Sequence, residues 1–200
     1  MPRALALVCT LTPSPEPSSS HLLATQVMGE LAGLGVTGEV IRVADHEVKP
    51  GVSVDMGDGD AWPTLREKVL AADILLLATP IWLGHPSSLA QRVLERLNAD
   101  ISETDGEGRQ LPYGKVGVVA VVGNEDGAHH VSAELFQGLN DLGFSLAPGA
   151  VAYWVGEAQQ GTDYQDLDQT PESVKDAVRT LALNAAHLAK LLSSSPYPPR

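Results

Sequence analysis

Apolar and polar positions along this chain change their spacing repeatedly, and the changes predict strands and helices in alternation. Apolar runs of strand length cover residues 3–10, 36–43, 73–78, 116–122 and 144–151. Elsewhere apolar residues recur every three or four positions, which is the spacing of one helix face. This second pattern predicts helices over residues 21–33, 62–72, 87–98, 129–142 and 171–192. Five strand–helix units therefore follow one another along the chain.

Two of the predicted strands are apolar almost throughout rather than at every second position. They read DILLLA over residues 73–78 and VGVVAVV over residues 116–122. Strands of this kind are typical of a parallel sheet that helices cover on both faces. The pattern predicts a doubly wound α/β sandwich with right-handed crossovers. Five strands favour the flavodoxin-like order 2-1-3-4-5 over the six-stranded Rossmann order.

The length and the loops fit one domain over residues 1–193. A chain of 200 residues with 44% hydrophobic positions can bury a sizeable core. Residues 194–200 (SSPYPPR) are predicted to be a flexible C-terminal tail. Two predicted loops, Asp45–Asp60 and Tyr153–Thr170, are long for a compact domain. The second loop is either a wall of a substrate site or a spacer before the last helix.

Charge and cysteine content exclude several classes of protein. The formal net charge of −12 disfavours nucleic acid or an anionic membrane as a partner. The single cysteine, Cys9, excludes a disulfide within the chain and a cysteine-rich metal cluster, and its place in a strand indicates a buried structural residue. No apolar run reaches the ~18 residues of a membrane span. We therefore expect a cytoplasmic protein without membrane insertion.

The loop after the first predicted strand is the clearest candidate for ligand binding. In a sheet of this order, ligands bind beyond the carboxyl ends of the strands, where the loops after predicted strands 1, 3 and 4 meet. Residues 10–20 contain four serines and two threonines just before a predicted helix. The loop has no Lys, Arg or Gly, so it is neither a P-loop nor a G-x-G-x-x-G loop. It predicts a hydroxyl and helix N-terminal seat for a terminal phosphate such as that of FMN; the alternative is a Pro/Ser-rich loop with an N-cap serine.

The other two loops carry glycines and an unexpected tryptophan. Trp82 follows the third predicted strand. Three roles are open for its ring, which can pack on a ring ligand, at a subunit interface or on the local core. Gly84 in that loop, and Gly123 and Gly127 in the next, would let the backbone approach a flat ligand.

Histidines in these two loops are the only side chains there that titrate near pH 7. They are His85, His129 and His130. Adjacent histidines without a third ligand at helical spacing do not make a metal site, so we predict no metal site.

The chain resembles the flavodoxin-like NAD(P)H-dependent FMN reductase family. ADILLLATPIWLG, over residues 72–84, resembles the family's block of AD, apolar strand, T/S-P, I/V, aromatic, x, G. The helical residues 87–97 and the GK–apolar strand–G segment over residues 114–123 resemble the blocks that follow, and the resemblance covers most of residues 3–148. The family's G-S-P-R start is replaced here by TLTP, so its arginine is missing, and so is the cysteine cluster of the iron–sulfur branch.

The resemblance implies an enzyme with non-covalently bound FMN that passes electrons from NAD(P)H to a small acceptor, a quinone or a flavin, as a homodimer or homotetramer. No catalytic side chain is named, because the flavin itself carries the hydride chemistry. The implied FMN-binding residues are Thr10, Thr12, Ser18, Ser19 and Ser20 towards the phosphate, Thr79, Pro80, Ile81, Trp82, Leu83 and Gly84 along the ribityl chain and ring edge, and Gly123, Asn124 and Gly127 on the pyrimidine side.

Two other functions stay open at this point. An electron-transfer flavodoxin without nicotinamide-dependent activity would suit the acidic charge, which favours docking to basic redox partners. The two long loops favour the enzyme, because an extra wall makes a substrate pocket. A hydrolase using residues 18–20 is weaker, because the chain has no G-x-S-x-G motif.

Overall fold

The apolar runs form a parallel sheet between two layers of helices in the computed structural model, which describes residues 1–157 and 160–199. The strands are β1 (Arg3–Val8), β2 (Thr37–Arg42), β3 (Ile74–Trp82), β4 (His85–Pro86), β5 (Val116–Gly123) and β6 (Ser145–Val155). The helices are α1 (Ser19–Gly33), α2 (Trp62–Ala71), α3 (Ser88–Leu97), α4 (Ala128–Asp141) and α5 (Glu172–Ser194). Short 3₁₀ turns lie at Val43–Asp45, Asn98–Asp100 and Tyr164–Asp166.

The strand order is β2-β1-β3-β5-β6, with all neighbours parallel. It confirms the flavodoxin-like sandwich, since β5 and β6 are the fourth and fifth strands of the predicted order. The sheet nevertheless has six strands rather than five, because β4 pairs antiparallel with the end of β3. A strand of two residues is too short to show a period in the sequence.

Successive residues of each central strand enter two separate cores. Ala4, Ala6 and Val8 face α1 and α5, whereas Leu5 and Leu7 face α2, α3 and α4. This follows from the two-residue period of a strand, and it is why β1, β3 and β5 are apolar throughout. No helix within the described residues is both long enough and apolar enough to cross a membrane.

β3 continues beyond its predicted end at residue 78, so the predicted loop over residues 79–87 begins as a strand. Thr79 and Pro80 pair with β5. Pro80 is tolerated because β1 ends at Val8, which leaves no strand opposite it on that side. Leu83 and Gly84, with φ of 53° and 78°, then turn the chain back into β4. A two-residue turn with positive φ at both positions is the favoured connection of a tight hairpin.

β6 is also longer than predicted, so the predicted loop over residues 153–170 starts inside the sheet. Tyr153 and Trp154 pair with Val121 and Val122 of β5. The register between β5 and β6 shifts within this strand, around its Pro-Gly pair. Residues 158 and 159 of the predicted loop lie outside the described residues.

The other long loop, over residues 45–60, is attached to the core by a buried ion pair. Arg96 of α3 donates from Nη2 to Asp60 Oδ2 at 2.7 Å, and both side chains are fully buried. A further bond from Arg96 Nη1 reaches the carbonyl of Lys49 at 2.8 Å. Residues 48–60 of this loop are therefore held along α3.

Candidate functional site

A cavity of about 470 Å³ lies at the carboxyl edge of the sheet, beyond the ends of β1, β3 and β5. It brings together many of the predicted residues, namely Thr10, Thr12, Ser18, Ser19, Ser20, Pro80, Ile81, Trp82, Gly123 and Asn124. The remaining lining residues are Leu11, Pro17, Val122, Trp154, Gly161, Asp163, Tyr164 and Gln165. The loops after the first, third and fourth predicted strands thus meet where the strand order reverses.

The N-terminus of α1 supplies one end of this cavity. Ser18 is the N-cap, and its Oγ accepts the N–H of His21 at 3.3 Å. Within the described residues the Ser18 hydroxyl hydrogen has no acceptor, so it can donate to a ligand. The N–H groups of Ser19 and Ser20 belong to the first turn, where an α-helix provides no backbone acceptors. This end therefore offers an anion uncharged donors and the positive end of the helix dipole.

Arg42, at the end of β2, holds the loop that leads into α1, and the sequence analysis missed it. Its Nη1 donates to the carbonyl oxygens of Thr12 at 3.4 Å, Pro13 at 3.2 Å and Glu16 at 2.6 Å. The residue is only 8% exposed. A lone arginine in the otherwise apolar end of a strand (VIRV) was the signal that could have found it. Arg42 thus brings a positive charge next to this loop, as the family's missing arginine would, but it does not line the cavity.

The outer side of the same loop is attached to the residues after β2. Ser14 donates from its N–H and its hydroxyl to the two carboxylate oxygens of Asp45, each at 2.7 Å. These two hydrogen bonds lower the pKa of the Asp45 carboxyl. Burial, and then the charge of Arg42, lower the pKa of His21 in the first turn of α1. The imidazole at this end of the site is therefore favoured in its neutral form near pH 7.

Thr79 lies beneath the cavity and is not among its lining residues. Its Oγ1 accepts the N–H of Ser87 at 3.0 Å and donates to the carbonyl of Pro80 at 3.0 Å. Ser87, the N-cap of α3, donates from Oγ to the carbonyl of Cys9 at 2.5 Å. This buried network joins the ends of β1 and β3 to α3. The Thr79 hydroxyl is thus used within this network, and Thr79 does not line the cavity.

Leu83, Gly84 and Gly127 also lie outside the cavity lining. Gly127 precedes α4 with φ of 126°, and a Cβ there would lie 3.0 Å from the Cα of Gly84. The two glycines let the β3–β4 hairpin pack against the start of α4. Leu83 at the tip is 89% exposed, and Trp82 beside it lines the cavity at 56% exposure. The exposed Trp82 ring does not cap the local core.

A third wall comes from the end of β6 and the segment after it. Trp154 packs against Tyr164 with ring centroids 5.5 Å apart, and the Tyr164 hydroxyl donates to Gln26 Oε1 of α1 at 2.5 Å. Asn124 donates to Asp163 at 3.1 Å, which joins this wall to the loop after β5. These contacts favour the wall over the spacer for this segment. The aromatic residues of the predicted loop were the signal in the sequence.

The donors and rings of the cavity fit the phosphate monoester and the flat ring of FMN. Hydroxyl and helix N–H donors gather at one end, and Trp82 and Trp154 stand towards the other walls. Among the described lining residues there is no Lys or Arg, so a phosphate here would rely on uncharged donors. Gly123 lines the site where a Cβ would lie 2.9 Å from Ile81, so a larger residue would disturb the β3 wall.

The fold and the site together define a flavodoxin-like α/β protein with a cavity lined by hydroxyl groups and a helix N-terminus at its switch point. A family model described as NADPH-dependent FMN reductase matches residues 2–160. The chain belongs to this family, which confirms the resemblance noted in the sequence. It is an oxidoreductase-type enzyme, and FMN is the cofactor of its family.

Three comparisons describe its relatives. The 8-demethyl-8-aminoriboflavin-5'-phosphate synthase of Streptomyces davaonensis is 37% identical over 98% of this chain and 80% of that protein. A crystal structure of RosB with the bound intermediate 8-demethyl-8-formylriboflavin-5'-phosphate matches with a TM-score of 0.89 and 35% identity, over 98% of this chain and 82% of that one. The divalent metal cation transporter MntH of Mycobacterium bovis is 38% identical over 95% of this chain, which spans 29% of that protein.

Proposed function

We propose that this protein is an FMN-dependent oxidoreductase that transfers electrons from NAD(P)H to a quinone or a flavin. The observation that carries the proposal is the meeting of three loops in one cavity, with a phosphate seat at α1 and tryptophans on two walls. Two electrons leave the nicotinamide as a hydride, and the acceptor takes up two electrons and two protons. FMN supplies the hydride-accepting ring when it is bound.

The residues of the chain bind and orient the cofactor in this proposal. Ser18 and the first-turn N–H groups of α1 would hold the phosphate, while Arg42 keeps their loop in place. The ends of β3 and β5, from Pro80 to Trp82 and at Gly123, would line the ribityl chain and the ring. The segment with Asp163 and Tyr164 would limit access of water from the α1 side.

The exposed tip of the hairpin favours an assembly in which a second copy completes the site. Trp82 and Leu83 are large apolar residues that lie exposed beside the cavity. Leu83 also has a positive φ of 53°, which is uncommon for residues other than glycine. We therefore propose a homodimer or homotetramer. We also propose a cytoplasmic location, which the single buried cysteine supports.

The test of the oxidoreductase uses purified protein reconstituted with FMN. Oxidation of NADPH is followed by absorbance, first without acceptor and then with a quinone or with free FMN. We expect NADPH oxidation that depends on both the protein and the acceptor. Folded protein that binds FMN but oxidises no NADPH with either acceptor would contradict the proposal.

A second candidate is an enzyme for which the flavin phosphate is substrate rather than cofactor. The similarity to the aminoriboflavin phosphate synthase and to RosB with its bound formyl intermediate favours this candidate, because both matches cover 98% of the chain. In such a reaction molecular oxygen would oxidise the 8-methyl carbon through the formyl level, and this carbon would leave as carbon dioxide while the oxygen is reduced to water. An amine would supply the nitrogen that takes its place on the ring. The same phosphate seat would serve both functions.

Mass spectrometry of the flavin separates the two candidates. The protein is incubated with FMN, an amino acid as amine donor and air, and the flavin is then released and analysed. An unchanged FMN mass together with NADPH oxidation supports the reductase. A product that has lost the 8-methyl group supports the flavin-modifying enzyme.

A further inference from the structure

Three side chains with metal-binding atoms meet on the outer side of the β3–β4 hairpin. His85 lies on β4, and His130 and Glu134 lie on α4. Glu134 Oε1 is 2.9 Å from His130 Nε2 and 3.3 Å from His85 Nδ1. These three donor atoms lie within 4.8 Å of one another. None of the three residues lines the flavin cavity described above.

The tertiary structure brings a third donor, His85, next to two donors on α4. His130 and Glu134 are four residues apart, so they share one face of α4. His85 is distant in sequence and reaches them because Gly84 packs against Gly127 at the start of α4. The prediction of no metal site rested on His85, His129 and His130 without a third ligand at helical spacing. Glu134 is four residues after His130 and therefore does stand at that spacing.

The donor set and its spacing suit a divalent transition metal. Imidazole and carboxylate are ordinary ligands of Zn²⁺, and three protein ligands leave one position for water. Bonds of about 2.0–2.1 Å in a tetrahedron place neighbouring ligand atoms about 3.3–3.4 Å apart. The distances from Glu134 to the two histidines already approach this value. The ring centroids of the histidines are 5.0 Å apart, which leaves room to bring both nitrogens towards one ion.

We propose that His85, His130 and Glu134 bind a divalent transition metal ion, for which Zn²⁺ is the probe. The site is open, because the His85 side chain is 63% exposed and that of Glu134 38%. A bound ion would join β4 to α4 in place of the present hydrogen bonds. Since Trp82 precedes the same turn and lines the flavin cavity, the ion would also restrict one wall of that cavity. The inference does not depend on which reaction the cavity supports.

The test measures Zn²⁺ binding by isothermal titration calorimetry on untagged, metal-free protein with FMN added. We expect one Zn²⁺ per chain with micromolar or tighter affinity. His85→Ala and Glu134→Gln should each weaken binding at least tenfold, and the double variant should abolish it. All these positions are on the surface, and circular dichroism checks that each variant is folded.

His129→Ala is the matched control, because His129 adjoins His130 but packs against the Tyr153 ring with centroids 5.3 Å apart. It should bind Zn²⁺ as the unchanged protein does. Amide hydrogen exchange gives a second readout: Zn²⁺ should slow exchange at residues 83–85 in the unchanged protein and not in His85→Ala. The proposal is wrong if the unchanged protein binds no Zn²⁺ at 100-fold excess, or if the double variant binds it equally well.

Discussion

Arg42 Nη1 donates to the carbonyl oxygen of Glu16 at 2.6 Å, the shortest of three bonds from this guanidinium to the loop before α1. A charged donor bound to these backbone carbonyls fixes the path of the loop, to which the turn hydrogen bond from the Glu16 N–H to the Pro13 carbonyl at 3.2 Å also contributes. The proposed phosphate site at α1 therefore depends on a residue that does not line the cavity.

Replacing Arg42 should weaken FMN more than riboflavin, because the loop it holds lies at the proposed phosphate end. Hydrogen bonds that involve a charged group contribute about 1.5–3 kcal/mol, so we expect Arg42→Met to raise the dissociation constant of FMN by about 10- to 100-fold. The dissociation constants are measured from the quenching of flavin fluorescence as protein is titrated into each flavin. Arg92→Met is the matched control, because Arg92 also donates to a backbone carbonyl, that of Val48, away from the cavity. If FMN and riboflavin lose affinity to a similar extent, Arg42 does not act through the phosphate end of the site.

The hydroxyls of the seat give a second prediction. Ser18→Ala combined with Ser20→Ala should weaken FMN by about 1.5–3 kcal/mol for each bond lost to the phosphate, and riboflavin much less. Ser18→Ala also removes the N-cap, which costs about 1 kcal/mol of folding stability. Binding is therefore measured by calorimetry well below the melting temperature of the variant. If riboflavin and FMN lose the same affinity, the phosphate lies elsewhere.

Tryptophan fluorescence reports which walls lie near the ring. Trp82 and Trp154 line the cavity, whereas Trp62, the first residue of α2, is fully buried. Binding of FMN should quench the emission of the first two, so Trp82→Phe and Trp154→Phe should each reduce the amplitude of quenching. Trp62 remains in both variants as an internal reference. An amplitude that does not change in Trp82→Phe would place the ring away from the hairpin.

The buried pair of Asp60 and Arg96 predicts a pH-dependent contribution to stability. Burial by itself raises the pKa of the Asp60 carboxyl. Hydrogen bonds from Arg96 and from the N–H groups of Met56, Trp62 and Lys49 together lower it by more, so that the pKa lies well below its usual 3.8. A group whose pKa is lower in the folded state stabilises the fold above its usual pKa. That stabilisation is lost as the pH falls through and below 3.8.

Asp60→Asn should therefore cost about 3 kcal/mol of unfolding free energy at pH 7, the scale for breaking a buried ion pair. The difference from the unchanged protein should shrink as the pH falls below about 4, where Asp60 begins to lose this advantage. Urea unfolding at a series of pH values measures it. Asp58→Asn, on the same loop and exposed, is the control and should cost little at any pH. A cost for Asp60→Asn that stays constant down to pH 3 would contradict the argument.

Gly127 tests the packing that positions the hairpin. Alanine there meets both a positive φ and the backbone of Gly84 at 3.0 Å, whereas Gly59 has a positive φ of 83° and no atom near its Cβ position. Both Gly→Ala changes should cost about 1–2 kcal/mol from backbone strain. Only Gly127→Ala should add about 1–3 kcal/mol from overpacking. Thermal unfolding measures the loss of stability in both variants. Equal losses would show that the hairpin can shift away from α4 at no cost in stability.

The sheet order and the two cores could be predicted from the sequence, because they follow from local periods. The apolar runs of β1, β3 and β5 indicate burial on both faces, and alternation with helices leaves few topologies for a parallel sheet. The same reasoning located the switch point, and therefore the loops that form the cavity. The predicted ends of the third and fifth strands were wrong, because both strands continue further in the structure. The added residues join the sheet by pairing with β5, which no local pattern shows; they are Thr79, Pro80, Tyr153 and Trp154.

By itself, the sequence determined which segments form the five parallel strands and the five helices, which loops meet, and that hydroxyls rather than basic side chains occupy the first loop. Only the tertiary structure decided which of those residues reach the cavity. Thr79 lies in a buried network beneath it, Gly127 packs against Gly84, and Arg42 and Tyr164 become important through contacts with distant residues. The physical reason is that a local period specifies the direction in which a side chain leaves its own element. Its neighbours from other elements depend on how the whole sheet and its loops pack.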